Sequence, residues 1–193
     1  MDDPIASLRM KWDKRHSKAL DSGRPSRVLE ENQHLLTRSG DALDLACGRG
    51  ENALMLAELG MNVTAWDLSP VAIERLRGDA VLRGVSLSAS VRDVIAFPPE
   101  PNSFDVVLVS HFLERSLVPA LISALRSGGL ILYQTFGERV VEEGPENPRF
   151  RLADNELLRL FQGFKIRAYR EESGIGDVNR GWRGLAMLVA QKP

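Results

Sequence analysis

One stretch constrains this chain more than any other: "LDLACGRGENAL", residues 43–54. A short apolar run ends at Ala46, two glycines flank Arg49, and a helical pattern opens at about Asn52. Strand, tight loop and helix in that order are the setting in which a glycine loop holds a nucleotide-like ligand. Gly48 and Gly50 let the backbone approach a ligand with no Cβ in the way, and Ala53 still permits close helix–sheet packing. Amides at the helix start attract a negative group.

The texture beyond Ser39-Gly40 extends this unit. Short apolar or alternating runs predict strands near 41–46, 62–67, 86–91, 104–110 and 129–136, then near 164–170 and 184–191. Helical patterns fall at about 51–60, 70–84 and 116–126. That alternation predicts a doubly wound α/β sheet, mostly parallel, with helices on both faces. "NELLRLF" adds one helix, and the last two strands are then joined only by "ESGIGDVNRGW", which forces an antiparallel pair. Gly174, Gly176 and Gly181 in that loop read as turn residues. Residues 1–40 are polar and helix-leaning.

A length of 193 residues suits a single domain, 1–193, with 1–40 as an N-terminal helical cap and 41–193 as the core. The formal charge of −1 disfavours a partner that grips a long nucleic acid. Cys47 is the lone cysteine, and histidines 16, 34 and 111 show no zinc spacing, so no metal is expected. No apolar run approaches membrane-spanning length, and the N-terminus lacks the apolar core of a secretory signal. The expectation is a cytoplasmic protein with no membrane contact.

Acidic residues narrow the ligand. Asp67 closes the second strand, where a carboxylate accepts both hydroxyls of a ribose. No Lys-Ser or Lys-Thr follows the glycines, which excludes a P-loop. Asp44 stands four residues before Gly48, where a dinucleotide's pyrophosphate would meet a buried negative charge. S-adenosylmethionine has no phosphate and carries an ammonium and a sulfonium, so it fits Asp44 better. Read singly, Asp44 is also a strand-end cap, Asp67 an N-cap in "DLSP", and Asp93 a turn aspartate before Pro98-Pro99.

These residues resemble the class I S-adenosylmethionine-dependent methyltransferases, and the likeness runs from Trp12 to the C-terminal hairpin. It implies a Rossmann-like seven-stranded sheet with an antiparallel last strand. It also implies that Asp44 and the Gly48–Gly50 loop hold the methionine part, with Ala46 and Asn52 among the cofactor-binding residues, that Asp67 binds the ribose, and that Leu68 packs on the adenine. Asp93 and the Val94 amide would read the adenine edge, while Ser110 and His111 would border the methyl. "KWDKRHSK", residues 43–73 and "EEGPENPRFRLADNELLRLF" are most similar to tellurite-resistance (TehB-like) and thiopurine methyltransferase-like enzymes. In these a Trp-Asp-x-Arg lead-in folds over the cofactor, which implies Trp12 and Arg15 near the site; His16 stands where relatives often carry an aromatic. A plain surface helix with Trp12 docked on the core is the competing reading.

The end of the fourth strand, "LVSHFLER", limits the chemistry. It lacks the Pro-Pro-aromatic signature of amide and adenine methylation, and no cysteine there offers a covalent route. His111 is the candidate catalytic base, with Glu114 and then Tyr133 behind it; His111 also reads as a structural histidine. "GERVVEEGPENPRFRLAD" is long enough for a lid, with Arg149 or Arg151 attracting an anion, or else a solvated loop. The expected acceptor is a small molecule with a soft nucleophile, a thiol or chalcogen oxyanion. The alternatives are a small carboxylate, amine, quinone-like or lipid-precursor acceptor, and a module that binds S-adenosylmethionine without catalysis. The protein is expected to be a monomer or homodimer.

Overall fold

The computed structural model describes residues 4–18, 23–138 and 144–193. Seven strands form one sheet: β1 Asp41–Leu45, β2 Asn62–Asp67, β3 Ser88–Val91, β4 Phe104–Ser110, β5 Leu125–Phe136, β6 Lys165–Glu171 and β7 Leu185–Gln191. Their order is β3-β2-β1-β4-β5-β7-β6. All neighbouring pairs from β3 to β5 are parallel, and β7 runs antiparallel to both β5 and β6. The mostly parallel sheet with a reversed final strand is thus present, with β7 slotted inside β6.

The helices are α1 Pro4–Lys18, α2 Arg27–Asn32, α3 Glu51–Glu58, α4 Pro70–Arg83, α5 Val118–Ala124 and α6 Glu156–Leu160. Apolar side chains alternate along the buried strands and build one cluster on each sheet face. Leu43, Leu45, Val107, Val109 and Tyr133 pack toward α5 and α6, whereas Ala42, Leu108 and Leu132 pack with Val28 and Leu29 of α2 and Leu54 of α3.

Several boundaries shift from the sequence reading by one or two residues, and the largest departure is at the α5–β5 junction. β5 begins at Leu125 rather than 129, and α5 ends at Ala124 rather than 126. Leu125 already pairs with Phe104, and Arg126 makes ion pairs to Asp41 at 2.8 Å and Asp105 at 2.6 Å. Those contacts hold the chain extended before Gly128-Gly129 reaches the ladder. Among the described residues no helix is long and apolar enough to cross a membrane.

Candidate functional site

The sheet order reverses at β1, whose neighbours are β2 and β4, and in open α/β sheets the ligand position lies at such a reversal, here outside the carboxyl ends of β1 and β4. Both rims carry a non-glycine residue in the left-handed region: Ala46 after β1 and His111 after β4, each with φ 55°. Such backbone persists where its surroundings hold it in place, and functional sites are a frequent setting.

From Ala46 the chain runs through Cys47, Gly48 and Arg49 to Gly50, which caps α3 with φ 82°. A Cβ on Gly50 would lie 2.6 Å from Cδ2 of Leu76, so the glycine lets α4 pack against the loop as well as permitting the turn. Enclosure of the Cys47 sulfur, with Asp44 and Asp67 nearby, keeps its thiol protonated well above the ordinary range.

Asp44 is fully buried. Its Oδ2 accepts the Ala53 amide at 3.0 Å, while Oδ1 has no hydrogen-bond partner. Burial pushes its carboxyl up to about 8; the Ala53 bond opposes this and Asp67 adds to it. A buried carboxylate oxygen without a donor is costly, and a cationic ligand beside the loop supplies what is missing. Asp67, nearly buried, ties the loop to β2: Oδ2 accepts the Gly48 amide and Oδ1 the Ser69 amide, each at 2.8 Å. Each oxygen keeps a second lone pair for a hydroxyl.

α1 closes over this floor. Ser69, which caps α4 by accepting the Ala72 amide at 3.2 Å, donates its hydroxyl to Asp13. Arg75 of α4 donates to the backbone oxygens of His16 at 2.7 Å and Ser17 at 3.3 Å. His16 therefore lies above the loop, its Cε1 3.4 Å from where a Gly48 Cβ would stand. Burial lowers its pKa, Asp67 pulls the other way, and Arg49 and Arg15 add to the lowering. Trp12 stacks on His16 with centroids 6.1 Å apart, and the exposed Arg15 covers Trp12 at 5.6 Å.

Past the second and third strands, Leu68 is half-buried beside Asp67 and Val94 is buried. Asp93 Oδ1 accepts the Ile95 and Ala96 amides at 3.0 and 3.2 Å, the turn role that competed with adenine recognition. Asn52, expected at the cofactor, also has a structural task. Its Oδ1 accepts the amide and hydroxyl of Ser26 at 2.7 and 2.9 Å, which anchors the start of α2.

At the β4 rim Ser110 Oγ lies 2.8 Å from Nδ1 of His111, and the His111 ring packs on Phe136 at 5.2 Å. Sequence reasoning missed Gln134, which is buried, accepts the Val28 amide at 2.9 Å and reaches His111 Nε2 at 3.5 Å. Its signal was present: Gln134 interrupts the apolar run "LILY" at the carboxyl end of β5.

Three expected roles are corrected. Tyr133 is no base: it is buried on the opposite sheet face, donates to the Phe112 carbonyl at 3.0 Å, and burial raises its phenol. Glu114 caps the 3-10 turn Arg115–Leu117, and the Ser116 hydroxyl and amide that it accepts keep its carboxyl below the ordinary range. Arg151 is buried and donates to the carbonyls of Pro145 at 2.8 Å and Gly137 at 3.0 Å, so it braces its segment and does not face an incoming anion. Residues 139–143 of the expected lid lie outside the described residues. The remainder is pinned by Arg115, which bonds Glu156 at 2.5 and 2.9 Å and the carbonyls of Arg149 and Arg151.

A family model described as a methyltransferase domain matches residues 42–129. The chain is 30% identical over 138 residues to the probable S-adenosyl-L-methionine-dependent methyltransferase TehB of Haemophilus influenzae, covering 68% of this chain and 48% of that protein. It is 29% identical over 163 residues to the ubiquinone biosynthesis O-methyltransferase of Methylocella silvestris, covering 73% and 64%. The chain thus spans about half to two thirds of the length of these curated relatives. The crystal structure of Haemophilus influenzae TehB matches with a TM-score of 0.71 at 22% identity, over 95% of this chain and 67% of that one. A structure described for conversion of a disulfide bond into a thioacetal group during echinomycin biosynthesis matches with a TM-score of 0.71 at 24% identity, over 96% and 92%. At these identities the structural likeness shows the fold alone.

Proposed function

Because the chain belongs to the class I S-adenosylmethionine-dependent methyltransferases and is TehB-like, we propose that it binds S-adenosylmethionine and methylates a small molecule. The observation that carries this reading is the partnerless Oδ1 of buried Asp44 beside the glycine loop. Asp44 would face the ammonium, Asp67 the ribose hydroxyls, and Leu68, Asp93 and Val94 the adenine. Trp12, Arg15 and His16 on α1 would cover the ligand and exclude water. The bound cofactor supplies an electrophilic methyl on a sulfonium. The residues around it need only align a nucleophile with that methyl in a dry crevice.

The acceptor end of the crevice favours a soft nucleophile. Tyr133 and Glu114 are occupied elsewhere, so of the three base candidates only His111 is left to help an alcohol, whereas a thiolate or chalcogen anion needs no base. A thiol or chalcogen oxyanion is therefore the first acceptor class. The likeness to a ubiquinone biosynthesis O-methyltransferase supports a second reading, a quinone-like or other small ring acceptor. We take residues 1–193 as one domain acting in the cytoplasm, as a monomer or homodimer.

A substrate panel tests the acceptor. Purified protein with S-adenosylmethionine is offered thiols, selenite and tellurite each with excess glutathione as reductant, small carboxylates, amines and catechol-type rings, with volatile products read from the headspace against enzyme-free controls. Methylated sulfur, selenium or tellurium products support the first class. Turnover of rings or carboxylates with an empty headspace would replace it by the second.

A further inference from the structure

We infer that Gln134 fixes the tautomer of His111 and, through it, turns the Ser110 hydroxyl toward the methyl acceptor. The role given to the acceptor rests on the methyltransferase reading above; the tautomer rests on geometry alone.

A side-chain amide has an accepting end and a donating end, and its surroundings decide which is which. The amide of Gln134 is buried, and the Val28 N–H at the start of α2 meets one end at 2.9 Å. An N–H requires an oxygen there, so the other end is the NH2 group. That group faces Nε2 of His111 at 3.5 Å, and Nε2 must present its lone pair. A neutral imidazole with Nε2 unprotonated carries its hydrogen on Nδ1. Nδ1–H then donates to Ser110 Oγ at 2.8 Å. A hydroxyl that accepts through one lone pair keeps its own hydrogen for another acceptor, here a group in the crevice.

The opposite tautomer sets Nε2–H against the amide NH2. Flipping the amide to relieve that would set NH2 against the Val28 N–H, a buried donor facing a buried donor. The backbone reinforces the arrangement. Ser110 and Gln134 are register partners across β4 and β5, the His111 amide donates to the Gln134 carbonyl at 2.8 Å, and the ring rests on Phe136. Gln134 is thus a positioning residue. His111 serves as a hydrogen-bond donor to Ser110 rather than as a base, which suits an acceptor that arrives already nucleophilic.

Long-range 1H–15N spectra of the 15N-labelled, cofactor-free protein read the tautomer directly. The chain has three histidines, and His111→Gln identifies the resonances that disappear. The expected result is an unprotonated Nε2 and a protonated Nδ1 on His111 at neutral pH. In Gln134→Glu, an acceptor replaces the amide NH2, and the Nε2 resonance moves into the protonated range. A protonated Nε2 in the wild-type protein overturns the inference, as does an Nε2 resonance unmoved in a folded Gln134→Glu. If that variant does not fold, the wild-type spectrum decides alone. The correct tautomer in a protein that fails to bind S-adenosylmethionine would refute the proposed function and leave the relay standing; the reverse pair of results would do the opposite.

Discussion

The carboxylate of Asp44 accepts the Ala53 amide at 3.0 Å through one oxygen and leaves the other, equally buried, without a partner. One strand-end aspartate therefore both fastens α3 to β1 and holds a charge deficit for a ligand to fill. Its carboxyl, pushed up to about 8 from an ordinary 3.8, makes two results accessible.

The first concerns stability of the ligand-free protein. Because the folded value lies above the unfolded one, the native state holds a proton that the unfolded chain releases, and Asp44 costs stability as pH rises from about 4 through 8. In thermal unfolding across that range, Asp44→Asn should gain progressively on the wild type. A gap that stays constant would show that Asp44 does not titrate with folding.

The second concerns binding. A ligand ammonium draws Asp44 into its ionised form, so binding at about pH 6.5 should release close to one proton. Calorimetry in buffers of different ionisation enthalpy counts it, and Asp44→Asn should release none. Equal release from both proteins would place the ammonium elsewhere.

Asp67→Ala should weaken S-adenosylhomocysteine binding by about 1–3 kcal/mol, since charge-assisted bonds to the ribose are lost. The same change unties Gly48 and Ser69, so a lower unfolding midpoint is expected with it. Unaltered affinity would move the ribose away from β2.

Gly50→Ala adds a Cβ at positive φ and drives it into Leu76, which should cost about 2–4 kcal/mol in urea unfolding. Leu76→Ala should then cost less in the Gly50→Ala background than alone, because one partner of the clash is gone. Additive effects would mean that strain comes from the backbone only.

Asp13→Ala should free α1 from Ser69 and weaken cofactor binding by about 1 kcal/mol. Hydrogen exchange would show faster labelling over 4–18 with the central strands unchanged. Slow exchange there together with unchanged affinity would mean that α1 is no cover.

The core was legible because its signals are local. β2 and β4 fall on 62–67 and 104–110 as expected, since each is a β-rich run closed by turn or cap residues. The carboxylate pair around the glycine loop was legible for the same reason, being read from one strand–loop–helix–strand unit. What escaped depends on residues far apart in the chain. Asp13 meets Ser69 across 56 positions, and Gln134 meets Val28 across 106, so no window of sequence contains either bond. Strand alternation could have sorted Tyr133 from Gln134. Ser110 and Asp44 project to the α2 face with Gln134, while Tyr133 turns into the opposite core. The bond from Ser26 to Asn52 spans 26 positions and escaped for the same reason.

The central claim is that this crevice holds a cationic amino-acid cofactor and no dinucleotide. Isothermal titration of the wild type and Asp44→Asn with S-adenosylmethionine, S-adenosylhomocysteine and NAD tests it most directly. The account predicts binding of both sulfur compounds by the wild type, sharply weaker binding by Asp44→Asn, and no heat from NAD. Saturable NAD binding with neither sulfur compound bound would contradict it.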